Sequence, residues 1–110
     1  MLAPRPWDPR LGPLQLATLR RTLEREGMVT AWWSDVPGTY VPLHAHAFAE
    51  TRWVVEGFVR VIAGSDTFDL GPGDRLDLPP HTPHATEVIG LAQAIYVTGM
   101  PKGATPTTSP

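Results

Sequence analysis

Three side chains that bind transition metals lie close together in this chain: His44, His46 and Glu50. His44 and His46 are two residues apart. On a β-strand that spacing puts both on one face, roughly 6.8 Å apart along the strand, so two imidazoles can converge on one ion. Glu50 follows an Ala47-Phe48-Ala49 link, which can bend or bulge and bring the carboxylate to the same ion. His84, in PPHTPHAT, is the best candidate for a fourth ligand. The expected cofactor is therefore one divalent transition metal. The set has no sulfur and does not select for soft ions. Imidazole suits Zn, Cu, Fe and Ni, and the carboxylate also admits Mn. With four protein ligands an octahedral ion keeps two positions open, for water, a bidentate substrate or dioxygen. A tetrahedral zinc would be saturated.

The spacing resembles that of the cupin family. The first cupin motif runs G-x5-H-x-H-x3,4-E-x6-G, and Gly38, His44, His46, Glu50 and Gly57 match it throughout. The second, G-x5-P-x-G-x2-H-x3-N, is met by Gly73, Pro79 and His84, with His81 in place of the usual Gly and Val88 in place of the usual Asn. The resemblance covers roughly residues 30 to 98. It implies an all-β double-stranded β-helix, or jelly roll, with His44, His46, Glu50 and His84 as metal ligands. It also implies a homodimer. The activities it implies are broad: dioxygenases, isomerases, decarboxylases, epimerases, storage proteins and sensing modules. Fold alone does not choose among them.

Other residues could touch a substrate. Arg52 lies two after Glu50, so in an unbroken strand it shares that inward face. A buried guanidinium needs a partner. That partner is either a substrate carboxylate or phosphate held in a fork, or an internal acid such as Asp77. The remaining alternative is a bulge that turns Arg52 outward. Tyr40 and Phe48 flank the histidines and are candidates to line a small cavity. His81 is expected at the cavity mouth, exposed or shuttling protons. Trp33, Tyr40, Phe48, Trp53, Phe58 and Tyr96 are in the first place core or interface residues.

These side chains need a barrel to hold them. Residues 1–27 read as an arm carrying Trp7, followed by the only convincing helix, Pro13 to Glu26. Leu16, Leu19 and Leu23 form its stripe and Gly27 its C-terminal stop. From Met28 the period changes to strand type. Strands are expected over 28–33, 40–46, 51–56, 58–63, 67–70, 75–78, 84–88 and 91–98. Turns at Asp35-Val36-Pro37-Gly38, Gly57, Gly64-Ser65-Asp66 and Gly71-Pro72-Gly73-Asp74 separate them. Short strands at this interval indicate a sandwich or barrel. The barrel is expected over 28–100, and the Pro/Thr-rich segment 101–110 as a disordered tail.

Composition narrows the classes. The chain has 110 residues, 42% of them hydrophobic, enough for one domain and one core. Thirteen Pro and ten Gly favour turns over long helices. A net charge of −2 with no basic face argues against nucleic acid. No apolar run is long enough for a membrane helix, and the N-terminal segment has no secretory core, so a cytoplasmic protein is expected. There is no cysteine, which removes disulfides, thiol nucleophiles and thiolate metal sites. Neither a nucleophile elbow nor a phosphate-binding loop is present. The expectation is a small metalloenzyme, dioxygenase- or isomerase-like, acting on a small polar metabolite. The alternatives are a non-catalytic, metal-dependent small-molecule binding or sensing module, and a dimer that the metal merely stabilises.

Overall fold

The computed structural model describes residues 2–104. Among these, a short 3-10 turn (Pro9–Leu11) and one α-helix, α1 (Leu16–Arg25), precede eight strands: β1 (Met28–Asp35), β2 (Tyr40–His44), β3 (Glu50–Glu56), β4 (Phe58–Ala63), β5 (Asp66–Leu70), β6 (Arg75–Leu78), β7 (His84–Ile89) and β8 (Ala94–Pro101). They form two antiparallel four-stranded sheets, β1-β8-β3-β6 and β2-β7-β4-β5. The chain crosses repeatedly between the sheets, which is the jelly-roll arrangement expected from the sequence. No helix among the described residues is long and apolar enough to cross a membrane.

Alternation sorts the side chains of the sheets. Val54, Val59, Val61, Leu70, Leu76, Leu78, Val88, Ala94 and Tyr96 form the inner apolar core. The outer face of the first sheet is also covered. Leu19 and Leu23 of α1 pack on Trp53 and Val97, joined by Trp7, Leu11 and Leu14. That second layer explains why β3 and β8 are buried on both faces. The arm continues the sheet: Arg5 makes a β-bridge to Arg75, alongside β6. Trp7 lies 6.0 Å from Trp53, ring to ring, and packs directly on Gly73. The arm's tryptophan thus docks on its own chain.

Several boundaries differ from the sequence reading. The helix starts at Leu16, not Pro13, because the chain bends at residues 13–15 and brings Leu14 to the Trp7 patch. The last strand begins at Ala94 rather than Leu91. Leu91 is fully exposed in the turn after Gly90, and β8 must run to Pro101 to match Met28 of β1. Residues 101–104 of the expected tail are ordered: Pro101 ends β8, and Lys102 and Gly103 make a turn closed by Ala104 N–H to the Pro101 carbonyl. The rest of that expectation, 105–110, lies outside the described residues.

Candidate metal centre

His44 and His84 face each other across the β2–β7 ladder. Val41 pairs with Thr86 and His44 with His84, so β2 carries one extra residue between them. This is a β-bulge at Pro42 and Leu43. Pro42 has no N–H for a regular ladder, and Leu43 is thrown outward, 66% exposed. The bulge re-aims His44 into the barrel. β2 then ends, so His46 is not on the strand as the two-residue spacing suggested; it lies in the following loop. Its carbonyl accepts a 2.7 Å hydrogen bond from the N–H of His81, which ties that loop to the one before β7.

The three imidazoles converge. One ring nitrogen from each of His44, His46 and His84 lies within 4.8 Å of the other two. Nδ1 of His44 is 2.8 Å from the Pro42 carbonyl, and Nδ1 of His84 is 2.8 Å from the Thr82 carbonyl. A carbonyl can only accept, so each Nδ1 carries the proton and each Nε2 presents a lone pair. Glu50, the first residue of β3, brings its carboxylate to the same place. Oε2 is 3.4 Å from His46 Nε2 and Oε1 is 3.7 Å from His84 Nε2. The Nε2 atoms of all three histidines and Oε1 of Glu50 are buried and have no hydrogen-bond partner among the described residues. Three orphaned imidazole nitrogens converging on one point, with an orphaned Glu50 oxygen beside His84, are costly unless a cation lies among them. The donor set and its orphaned atoms fit a divalent transition metal.

Electrostatics agree with that fit. Burial holds the His46 imidazole below its ordinary value, with the neighbouring rings and Arg52 adding to the effect against Glu50. The ring is therefore neutral, the form that binds metals. Burial alone would push Glu50 up, but His84, Arg52 and His46 outweigh it and hold the carboxyl below the usual range.

The remaining candidates fall in different places. Phe48 stacks on His46, centroids 4.9 Å apart and planes 15° apart, and is half-buried. His81 is exposed in the loop with φ 59°, the left-handed conformation that the usual Gly would adopt freely. Tyr40 is not brought to the site. It sits opposite Glu87 on the outer face and is 55% exposed, because the bulge gives Tyr40 and His44 opposite orientations. Arg52 points inward as expected and is 1% exposed, but its acidic neighbour is Glu50, at 3.2 Å, and not Asp77. Asp77 faces outward, where Arg5, Arg75 and Thr51 engage it. Thr98, opposite Arg52, and Tyr96 complete this polar layer. Trp33 Nε1 donates to Thr98 Oγ1 at 3.0 Å, and the Tyr96 hydroxyl donates to Asp35 at 2.6 Å. Burial and Asp35 push the Tyr96 phenol well above its ordinary value, partly offset by Arg52. Thr98 and Tyr96 could have been found from their two-residue alternation on the last strand.

A cavity of about 370 Å³ lies outside the barrel between the arm, α1 and Trp53. Its Arg75 is fully used: Nε bonds Asp77, both Nη atoms bond Glu26, and the guanidinium lies 5.0 Å over the Trp53 ring. That cluster is structural and holds arm, helix and sheet together.

Comparison with known proteins agrees with this fold. The family model described as "Cupin domain" matches residues 31–98. No curated protein matches the sequence. Among solved structures, the DMSP lyase DddQ from Ruegeria pomeroyi DSS-3 is similar with a TM-score of 0.65 and 22% identity, over 74% of this chain and 41% of that one. A cupin 2 domain-containing protein from Halorhodospira halophila aligns with a TM-score of 0.66 and 21% identity, over 73% of this chain and 56% of that one. The polyketide cyclase RemF from Streptomyces resistomycificus gives 0.64 and 21%, over 72% and 57%. The chain thus spans about half the length of these three structures, and at such identities they show a shared fold.

Proposed function

The chain belongs to the cupin family, and on that premise we propose that it is a small metalloprotein whose His44, His46, Glu50 and His84 hold one divalent transition metal and act on a small polar metabolite. The observation that supports it is the cluster of three orphaned, buried imidazole nitrogens, with an orphaned Glu50 oxygen beside His84. An ion bound there would supply a Lewis acid or an oxygen-activating centre, consistent with isomerase- or dioxygenase-like chemistry. The chain's own residues do the rest. The Pro42 and Thr82 carbonyls fix the tautomers of His44 and His84. Phe48 covers one face of His46 and keeps water off it. The His81 N–H anchors the loop that carries His46, so His81 is a positioning residue at the mouth. A lyase and a cyclase among the similar structures are compatible with metal-assisted chemistry on small molecules.

A second reading, a binding module without turnover, is favoured by one feature: with Glu50 and the imidazoles taken up as ligands, exposed His81 is the free acid or base left near the site among the described residues. Elemental analysis of protein purified without added metal tests the site, beside a His44→Ala/His46→Ala control. About one equivalent of Zn, Mn, Fe, Ni or Cu, absent from the control, is expected; Zn would favour the binding reading. No metal in either sample after reconstitution refutes the site. Turnover of a small carboxylate or diketone then separates enzyme from binder. We also propose a homodimer: β1 is an edge strand and carries Trp32, 51% exposed. A monomer by light scattering at micromolar concentration refutes that.

A further inference from the structure

We propose that Arg52 is the anchor for a carboxylate ligand, and that the molecules this barrel takes are small 2-hydroxy or 2-oxo carboxylates. Their carboxylate would be gripped by Arg52 while their second oxygen faces the imidazoles. This rests on reading His44, His46, Glu50 and His84 as metal ligands.

The first observation is a deficit. Arg52 is among the largest fully buried side chains, 1% exposed. Its Nε, Nη1 and Nη2 are all buried with no hydrogen-bond partner among the described residues. Buried guanidinium donors are ordinarily satisfied, because leaving them bare forfeits their hydration with nothing in return. This fold satisfies such a group when the role is structural. Arg75, 5% exposed, spends every nitrogen on Glu26 and Asp77. Arg52 spends none in hydrogen-bond geometry.

The second observation is position. Glu50 Oε1 lies 3.2 Å from Arg52 Nη2 and 3.7 Å from His84 Nε2, so one carboxylate oxygen separates the guanidinium from the imidazole cluster. A ligand only a few atoms long can therefore address both. Charge favours an anion. With Glu50 shared among a guanidinium and a divalent ion, the pocket holds surplus positive charge in a buried setting. The guanidinium fork matches a planar carboxylate in two parallel hydrogen bonds. Thr98, opposite on β8, adds one more donor: its oxygen accepts from Trp33, which leaves its own proton free. A phosphate would bring a third oxygen to satisfy, and the Tyr96 hydroxyl is already committed to Asp35.

The test uses the full chain as wild type, Arg52→Gln and Arg52→Lys, each analysed for bound metal and titrated calorimetrically with glycolate, acetate and inorganic phosphate. Glycolate is expected to bind the metal-loaded wild type best. Both variants should keep the wild-type metal content and bind glycolate at least about tenfold more weakly, the loss expected for a charge-assisted fork. Arg52→Lys keeps the charge and loses only the fork, so it carries the comparison if Arg52→Gln does not fold. Equal glycolate binding in wild type and Arg52→Lys overturns the proposal, as does a preference for phosphate. Loss of metal with Arg52 also overturns it and assigns Arg52 to positioning Glu50. If the wild type holds no metal, acetate binding to the metal-free protein decides, since that needs Arg52 alone. A tenfold loss in Arg52→Lys sustains the anchor, and no loss removes it.

Discussion

The contact between Glu50 and Arg52 makes a prediction about stability that differs in sign from ordinary additivity. The two side chains are 3% and 1% exposed and 3.2 Å apart. At that separation and an effective dielectric of about 20, their attraction is about 5 kcal/mol. Glu50→Gln leaves a buried guanidinium with no charge partner, and should cost about 3–5 kcal/mol. Arg52→Met removes the partner of Glu50 but also removes the bare donors, so it should cost less. The double variant Glu50→Gln/Arg52→Met removes both charges from the barrel. It should be no less stable than Glu50→Gln alone, and more stable than the sum of the single losses by several kcal/mol. Four urea titrations in chelator at neutral pH measure the cycle, which keeps metal out of the comparison. A small domain holds roughly 5–15 kcal/mol in all, so the single losses are resolvable but not trivial. Additive losses would refute the claim that the pair is coupled through a low-dielectric interior.

Three further outcomes follow from other parts of the molecule. Removing metal from the wild type with chelator should lower its thermal midpoint, since a ligand at a thousandfold excess over its Kd contributes about 4 kcal/mol, whereas His44→Ala/His46→Ala should not respond; an equal shift in both would show that the chelator acts elsewhere. Gly57 has φ +75°, and a Cβ there would stand 2.5 Å from the Gln93 carbonyl oxygen and 2.8 Å from the Ala94 Cα. Gly64, φ +63° in open space, is its control: Gly64→Ala should cost about 1–2 kcal/mol for backbone strain alone, and Gly57→Ala clearly more by urea unfolding, with equal losses counting against the contact. The Arg75 fork holds the Glu26 carboxyl below its ordinary value of 4.5. Its contribution is therefore complete above that pH and lost as pH falls through the lowered folded value. Glu26→Gln should then destabilise the protein at pH 7 and much less near pH 3; a pH-independent loss would exclude the ion pair as its cause.

Much of this was readable from residue order. Turn residues marked most strand ends, and the Leu16-Leu19-Leu23 stripe marked the helix that covers Trp53 and Val97. Three of the four candidate ligands, His44, His46 and Glu50, could be named from local spacing, and His84 from its place in the second motif. What escaped was whatever depends on a partner strand. The bulge at Pro42 and Leu43 exists only against Thr86 and His84, so a two-residue count puts His46 on a strand, and nothing in the residue order shows that Tyr40 faces outward. Asp77, the example offered for an internal acid beside Arg52, does not serve for the same reason: it is opposite Thr51, on the outer face, one step out of phase. The start of β8 was missed because Leu91 and Ala92 carry no turn signal of their own. Only pairing with β1 sets that strand's length.

The place of β8 between β1 and β3 has a consequence for the nascent chain. The strand order makes the interior strand of the first sheet the last one synthesised. β1 leaves the ribosome with no partner and must wait for residues 94–101. The second sheet is complete once Ile89 has emerged, and β3 can already pair with β6 by then. His44, His46, Glu50 and His84 are thus all outside the ribosome before the first sheet can close. The exposed edges of β1 and β3 are a window for chaperone capture or mispairing during translation. A message truncated just before β8 would encode all four candidate ligands and still lack the strand that joins β1 to the barrel.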